Sequence, residues 1–174
     1  MLVAIEAALA PTPVARMDFP YRKAGRKAPD KEPALVAAVR EEAAALAART
    51  GLPPQRLALG GRSMGGRMCS IAVAQGLPAR ALVLLSYPLH PPGKPDRLRT
   101  DHFPTLALPC LFVSGTRDAF GTPEELTRAA EAIPGPVTHV WMEGGDHGLK
   151  RGDGQVAEAV RAFLEGLPEA SPRG

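Results

Sequence analysis

The sequence predicts an α/β fold, a mostly parallel sheet flanked by helices, on three observations. Segments of strand character alternate with segments of helix character along the chain. Two of the strands, Ala81–Ser86 and Cys110–Ser114, are unbroken apolar runs, which marks strands buried on both faces. Two of the helices announce themselves by apolar stripes and end signals of their own.

Taken in order, residues 2–10 read as an alanine-rich helix stopped by Pro11 and Pro13. Val14–Phe19 reads as a short extended strand running into an Asp18-Phe19-Pro20-Tyr21 turn. Residues 31–50 form the clearest helix. Leu35, Val36, Val39, Ala43 and Leu46 share one side, and Arg40, Glu41, Glu42 and Arg49 are left for water. Asp30 is its expected N-cap, Pro33 falls in the first turn and Gly51 supplies the stop.

Arg56–Gly61 is the next strand, Met64–Gln75 a helix ended by Gly76, and Ala81–Ser86 a buried strand. Pro88 to Pro109 is loop, and Cys110–Ser114 returns to strand. Thr122-Pro123-Glu124-Glu125 has the form of a capping box, with a proline at the first helical position. Val137–Met142 is the last strand, residues 154–166 an amphipathic helix and 168–174 a disordered tail. Residues 1–167 are thus expected to form one domain, and 174 residues suffice for one well-buried core.

A net charge of +3, from 21 basic and 18 acidic residues, is too small to argue for a nucleic-acid partner. The basic cluster Arg22, Lys23, Arg26, Lys27 and Lys31 reads as a solvated loop. Cys69 and Cys110 form no paired motif and lie in apolar runs, so they read as buried free thiols. The opening residues have no basic n-region, Glu6 interrupts them, and no run of about 18 apolar residues follows. The expected address is cytoplasmic, with no membrane contact.

Gly61-Arg62-Ser63-Met64-Gly65 is G-x-S-x-G, set between a predicted strand and a predicted helix. That context suits a nucleophile elbow, in which a serine sits on a tight, strained turn. Asp118 and His147 each follow the end of a later strand by a few residues. In a parallel sheet, loops at the carboxyl ends of strands share one edge, so the three fall on the same side in the order Ser, Asp, His. A serine hydroxyl needs an imidazole to remove its proton, and the imidazole needs a carboxylate to fix its tautomer. Asp146 competes for the carboxylate role, but adjoining His147 in sequence makes its contact awkward, and Asp118 is preferred. The backbone N–H of Met64 is the expected oxyanion donor.

The segments Gly60–Arg67, Ser86–Lys94, Gly115–Gly121 and Gly145–His147, with Asp18–Tyr21, resemble the dienelactone-hydrolase-like "predicted α/β-hydrolase" branch of the α/β-hydrolase superfamily. The resemblance runs from about Met1 to Leu167. It implies Ser63 as nucleophile, Asp118 as acid and His147 as base, whereas true dienelactone hydrolases use a cysteine nucleophile. Members of the branch carry further strands and a His-Gly loop, source of an oxyanion-hole N–H, before a helix resembling Met1–Ala10. The chain is therefore expected to lack the fold's N-terminal strands, with Met1 not the natural start of a complete hydrolase. Losing one oxyanion donor costs about 10²–10³ in rate.

The reading is a serine hydrolase, an esterase or acyl hydrolase on a small ester, thioester or amide, working through an acyl-enzyme. The alternative is a non-catalytic interaction protein of the same fold. Tyr87, Leu89, His90 and Phe120 are the substrate-binding candidates, with Phe103 in the same Pro-rich segment. His90 and His102 also read as surface loop histidines. His139 reads as structural, and Arg62 and Arg67, which flank the elbow, read as braces of neighbouring loops, with favouring an anionic substrate as the alternative. No metal and no cofactor are expected. The expected partner is a small-molecule ester-type substrate, and a homo-oligomer is compatible with the reading.

Overall fold

The computed structural model describes residues 1–168. Four parallel strands, β1 (Ala58–Arg62), β2 (Ala81–Leu85), β3 (Cys110–Gly115) and β4 (Val137–Met142), lie side by side in sequence order. Among the described residues, six α-helices accompany them: α1 (Leu2–Ala8), α2 (Pro20–Lys23), α3 (Glu32–Thr50), α4 (Met64–Ala74), α5 (Pro123–Ala130) and α6 (Asp153–Glu165). The predicted tail falls mostly on 169–174, outside the described residues.

Side-chain alternation on the buried strands sorts the core into two layers. Leu82, Leu84, Cys110 and Phe112 face one side, where Leu35, Val36 and Val39 of α3, Met68 and Ala72 of α4 and Leu126 of α5 meet them. Val83, Leu85, Leu111 and Val113 face the other side, covered by Ile5 of α1 and by Val156, Ala157 and Val160 of α6. The continuous apolar runs were therefore the correct sign of a sheet covered on both faces.

The Pro-rich connection after β2 belongs to the first layer. Tyr87, Leu89, Phe103 and Leu106 are fully buried there. The Tyr87 and Phe103 rings lie 5.4 Å apart and Phe103 lies 6.1 Å from Phe112. Burying each such side chain stabilises the fold by about 1.5–3 kcal/mol. A segment predicted as loop thus packs as core, which regular hydrophobic periodicity could not reveal.

Several boundaries differ from expectation. Val14–Phe19 forms no strand. Strand pattern alone does not make a strand without a ladder, and none of the four sheet strands pairs with this segment. Pro20–Lys23 is a short helix where a turn was predicted, because a proline at the first helical position suits a helix start. Asp30 does not cap α3. Lys31 occupies that place, and Asp30 pairs with Arg26 at 2.7 Å.

Arg40 is not left for water either. Its guanidinium donates to the carbonyls of Ala72 and Gln75, satisfying the end of α4. The first strand starts at Ala58 because Pro54–Arg56 forms a short 3-10 turn. Gly51 ends α3 in the left-handed conformation, at φ 68°, as glycine permits. The capping box at Thr122 is complete: its hydroxyl accepts from the N–H of Glu125, whose carboxylate accepts from the N–H of Thr122.

The basic cluster from Arg22 to Lys31 is exposed, and both cysteines are free and buried. Burial pushes each thiol up to about 12. Among the described residues, no helix is long and apolar enough to cross a membrane.

Candidate active site

Ser63 stands between β1 and α4 with φ 52° and ψ −120°, a conformation a non-glycine residue rarely adopts. Two backbone bonds fix it: its N–H donates to Leu85 of β2 at 2.7 Å, and its carbonyl accepts from Arg67 at 3.1 Å. The turn also needs strand and helix backbones to approach closely. A Cβ on Gly61 would meet the Gly65 carbonyl carbon at 2.7 Å, and one on Gly66 would meet the Gly61 oxygen at 2.6 Å. Both glycines exist for that contact, at which a strained elbow is held in place.

Asp118 and His147 come from the loops that follow β3 and β4. Those loops are laced together. Thr116 donates its backbone N–H to Met142 at 3.0 Å, and Arg117 donates to Gly145 at 2.9 Å. The Thr116 hydroxyl accepts from the Gly144 N–H at 2.8 Å. This lacing places the acid loop against the histidine loop, and no sequence pattern signalled the part of Thr116.

The three polar groups meet. Nδ1 of His147 lies 2.8 and 2.9 Å from the two carboxylate oxygens of Asp118. Nε2 lies 2.8 Å from the Ser63 hydroxyl. A carboxylate only accepts, so Nδ1–H donates to it and the Nε2 lone pair is free to accept the serine O–H. The Asp118 side chain is 2% exposed and that of His147 21%, which leaves the imidazole at a surface and its partner beneath. Asp118 also accepts from the backbone N–H of Phe120 at 2.9 Å, an Asx-type contact two residues on. Asp146 does not touch the imidazole through a hydrogen bond; it accepts from the Gly148 N–H at 2.8 Å and shapes its own turn.

Met64 opens α4, so its N–H has no acceptor within the helix. The substrate-binding candidates divide between the core and the site. Tyr87 and Leu89 are buried in the core, the Tyr87 hydroxyl donating to the Arg99 carbonyl at 2.7 Å. His90 is buried rather than a surface histidine, bonded to the Pro91 carbonyl at 2.9 Å and 3.3 Å from Glu125. Phe103 is wholly internal. Phe120 alone of the candidates reaches the group of Ser63, His147 and Asp118, its ring stacked on His147.

His102 is partly buried and bonded to the Ser70 hydroxyl at 2.8 Å. His139 stacks between Phe112 and Trp141 in the sheet's first layer, a structural place. Arg67 braces α4 to α3 by donating to Glu32 at 2.7 Å. Among the described residues, no three His, Cys, Asp or Glu side chains group as metal ligands.

The family model described as an alpha/beta hydrolase domain matches residues 2–161. Epoxide hydrolase A of Mycobacterium tuberculosis is 41% identical over 64 residues, 36% of this chain and 20% of that protein. An alpha-beta serine hydrolase homologue from Coxiella burnetii superposes with a TM-score of 0.60 at 18% identity, over 82% of this chain and 63% of that one. A Klebsiella pneumoniae chain proposed to be a dienelactone hydrolase superposes with a TM-score of 0.65 at 18% identity, over 87% and 68% of the two chains. The chain spans one fifth of the length of its curated relative. At these identities the solved structures speak for the fold.

Proposed function

The chain belongs to the alpha/beta hydrolase domain family, and on that premise we propose that it is a serine hydrolase that cleaves an ester-type bond in a small substrate. The observation that carries the reading is the continuous line of hydrogen bonds from Ser63 through His147 to Asp118.

The chemistry follows from that line. Ser63 Oγ attacks the substrate carbonyl carbon while Nε2 of His147 takes the hydroxyl proton. Asp118 holds the ring in the right tautomer and balances the imidazolium charge. The carbonyl oxygen gains a negative charge as the tetrahedral intermediate forms, and the N–H of Met64, without an acceptor inside α4, is the donor this reading assigns to it. The imidazolium returns its proton to the leaving alkoxide, thiolate or amine, leaving an acyl group on Ser63. Water then repeats the steps, giving its proton to His147, and the acid is released with the serine restored.

The strain at Ser63 fits the same reading, since strained backbone is held where it positions a reacting atom. Binding without catalysis would need neither that strain nor an imidazole bonded on both sides.

The test is covalent labelling of the purified chain with a fluorophosphonate, beside turnover of p-nitrophenyl acetate. One label per chain, on Ser63, is expected, and Ser63→Ala should lose both label and turnover with its circular dichroism unchanged. An unlabelled, well-folded parent chain would favour the non-catalytic alternative. Turnover that persists in the variant would remove Ser63 from the mechanism.

A further inference from the structure

A cleft of about 380 Å³, apart from Ser63 and His147, lies between α3, α4 and the segment from Leu98 to Thr105. One part of its lining is apolar, from Ile71, Ala74 and the exposed Leu98. The other part holds two guanidiniums, Arg67 and Arg99. Neither is fully served by the protein. Arg67 donates one bond to Glu32, but its Nε is buried without a hydrogen-bond partner. Arg99 makes a 3.4 Å contact with the Pro88 carbonyl and no ion pair among the described residues.

Burial and the facing Arg67 both push the Arg99 guanidinium down from its ordinary value, and no carboxylate offsets them. A partly buried cation beside a second cation is costly, and an anion between them relieves both. The neighbouring His102 adds no charge near neutral pH. Burial, then Arg67, push it down to about 4.

We infer that this cleft binds a small monocarboxylate with a short aliphatic body. Its carboxylate sits between Arg67 and Arg99, and its chain lies on Ile71, Ala74 and Leu98. The single charge follows from the balance of the lining. Glu32 pairs with Arg67 through one nitrogen, Arg99 has no ion-pair partner among the described residues, and the carboxylates of Glu32 and Asp101 in the same lining oppose a second negative charge. Arginine's planar fork suits a carboxylate held by two parallel bonds.

The experiment is a titration of the full chain carrying Ser63→Ala with butyrate, followed by methyl NMR. That background keeps the outcome separate from any turnover at the triad. Saturable shifts are expected at the Ile71, Ala74 and Leu98 methyls with butyrate and none with butyramide. Arg99→Gln should weaken butyrate by about tenfold or more. Should that variant fail to fold, Leu98→Glu adds a negative charge on an exposed wall and should weaken butyrate likewise. Silent methyls at those three residues would overturn the inference, as would unchanged affinity in a folded variant. Inorganic phosphate binding as tightly as butyrate at matched ionic strength would overturn the assignment to a monocarboxylate.

Discussion

The ring of Phe120 lies on the imidazole of His147, with centroids 4.0 Å apart and planes 28° from parallel. The same residue donates its backbone N–H to Asp118 at 2.9 Å and accepts at its carbonyl from the N–H of His90 at 3.1 Å. One residue therefore touches both His147 and Asp118, and the Pro-rich core segment holds it from behind. Stacked there, the ring restricts how the His147 imidazole can turn.

Removing the ring isolates that effect, because the N–H bond to Asp118 belongs to the backbone. Aromatic pairs contribute about 0.5–1.5 kcal/mol beyond burial, so Phe120→Ala should lower kcat by about 3- to 10-fold. KM for p-nitrophenyl acetate should stay near its parent value, and Phe120→Tyr should restore most of kcat. A rise in KM with kcat unchanged would instead make Phe120 the substrate contact that its sequence position suggested.

Asp118 and Asp146 give opposite expectations. An asparagine at Asp118 keeps the shape but cannot hold the same tautomer, and such a change costs about 10⁴ in turnover. Asp146→Asn should leave turnover within a few-fold, since its carboxylate bonds the Gly148 N–H rather than the imidazole. Steady-state rates of the two variants decide the matter, and equal losses would mean that the acid is not set by the 2.8 Å contact.

Much of this was legible from sequence because the signals were local. The buried strands showed as apolar runs, the elbow as two glycines around a serine, and the α5 start as a complete capping box. What failed was non-local. Val14–Phe19 has strand pattern but finds no ladder, which depends on neighbours rather than on its own residues. Tyr87, Leu89 and His90 lie in a run that reads as loop, yet all three are buried, Tyr87 against Phe103 of the same segment and Phe112 of β3. Arg40 looked solvated until α4 ended beside it. The three groups at the elbow were nameable because strand ends share an edge. The stacking of Phe120 depended on a loop conformation that no spacing encodes.

Stability should fall in mild acid through His102. Burial, then Arg67, hold its folded pKa at about 4, below the ordinary 6.5. The unfolded chain thus takes up a proton as pH drops through 6.5, while the folded chain resists until near 4. The contribution is full above that window and is lost progressively within it. Urea unfolding at pH 7 and pH 5 should show a clear loss of midpoint in the parent chain. His102→Asn should narrow that loss without abolishing it, because burial shifts His139 in the same direction. An equal loss in both chains would remove His102 from the account.

The adjacent glycines Gly65 and Gly66 should respond in opposite ways to the same substitution. Both lie in the first turn of α4, directly after Ser63 and Met64. A Cβ on Gly65 meets nothing within 4 Å, so alanine there gains helix propensity at no steric cost. Gly65→Ala should be neutral or stabilising, by up to about 1 kcal/mol. A Cβ on Gly66 would press on the Gly61 carbonyl at 2.6 Å and reach the Leu84 Cα at 3.5 Å. Both are backbone atoms of the strands that carry the elbow, and neither can swing aside as a side-chain tip would. Gly66→Ala should therefore destabilise the chain by about 1–3 kcal/mol, as overpacking does. It should also slow fluorophosphonate labelling, because displacing Gly61 displaces Ser63 two residues on. Urea midpoints and labelling rates of the two variants test both halves. A Gly66 variant as stable and as reactive as its parent, or a Gly65 variant equally damaged, would show that the elbow is not held by this backbone contact.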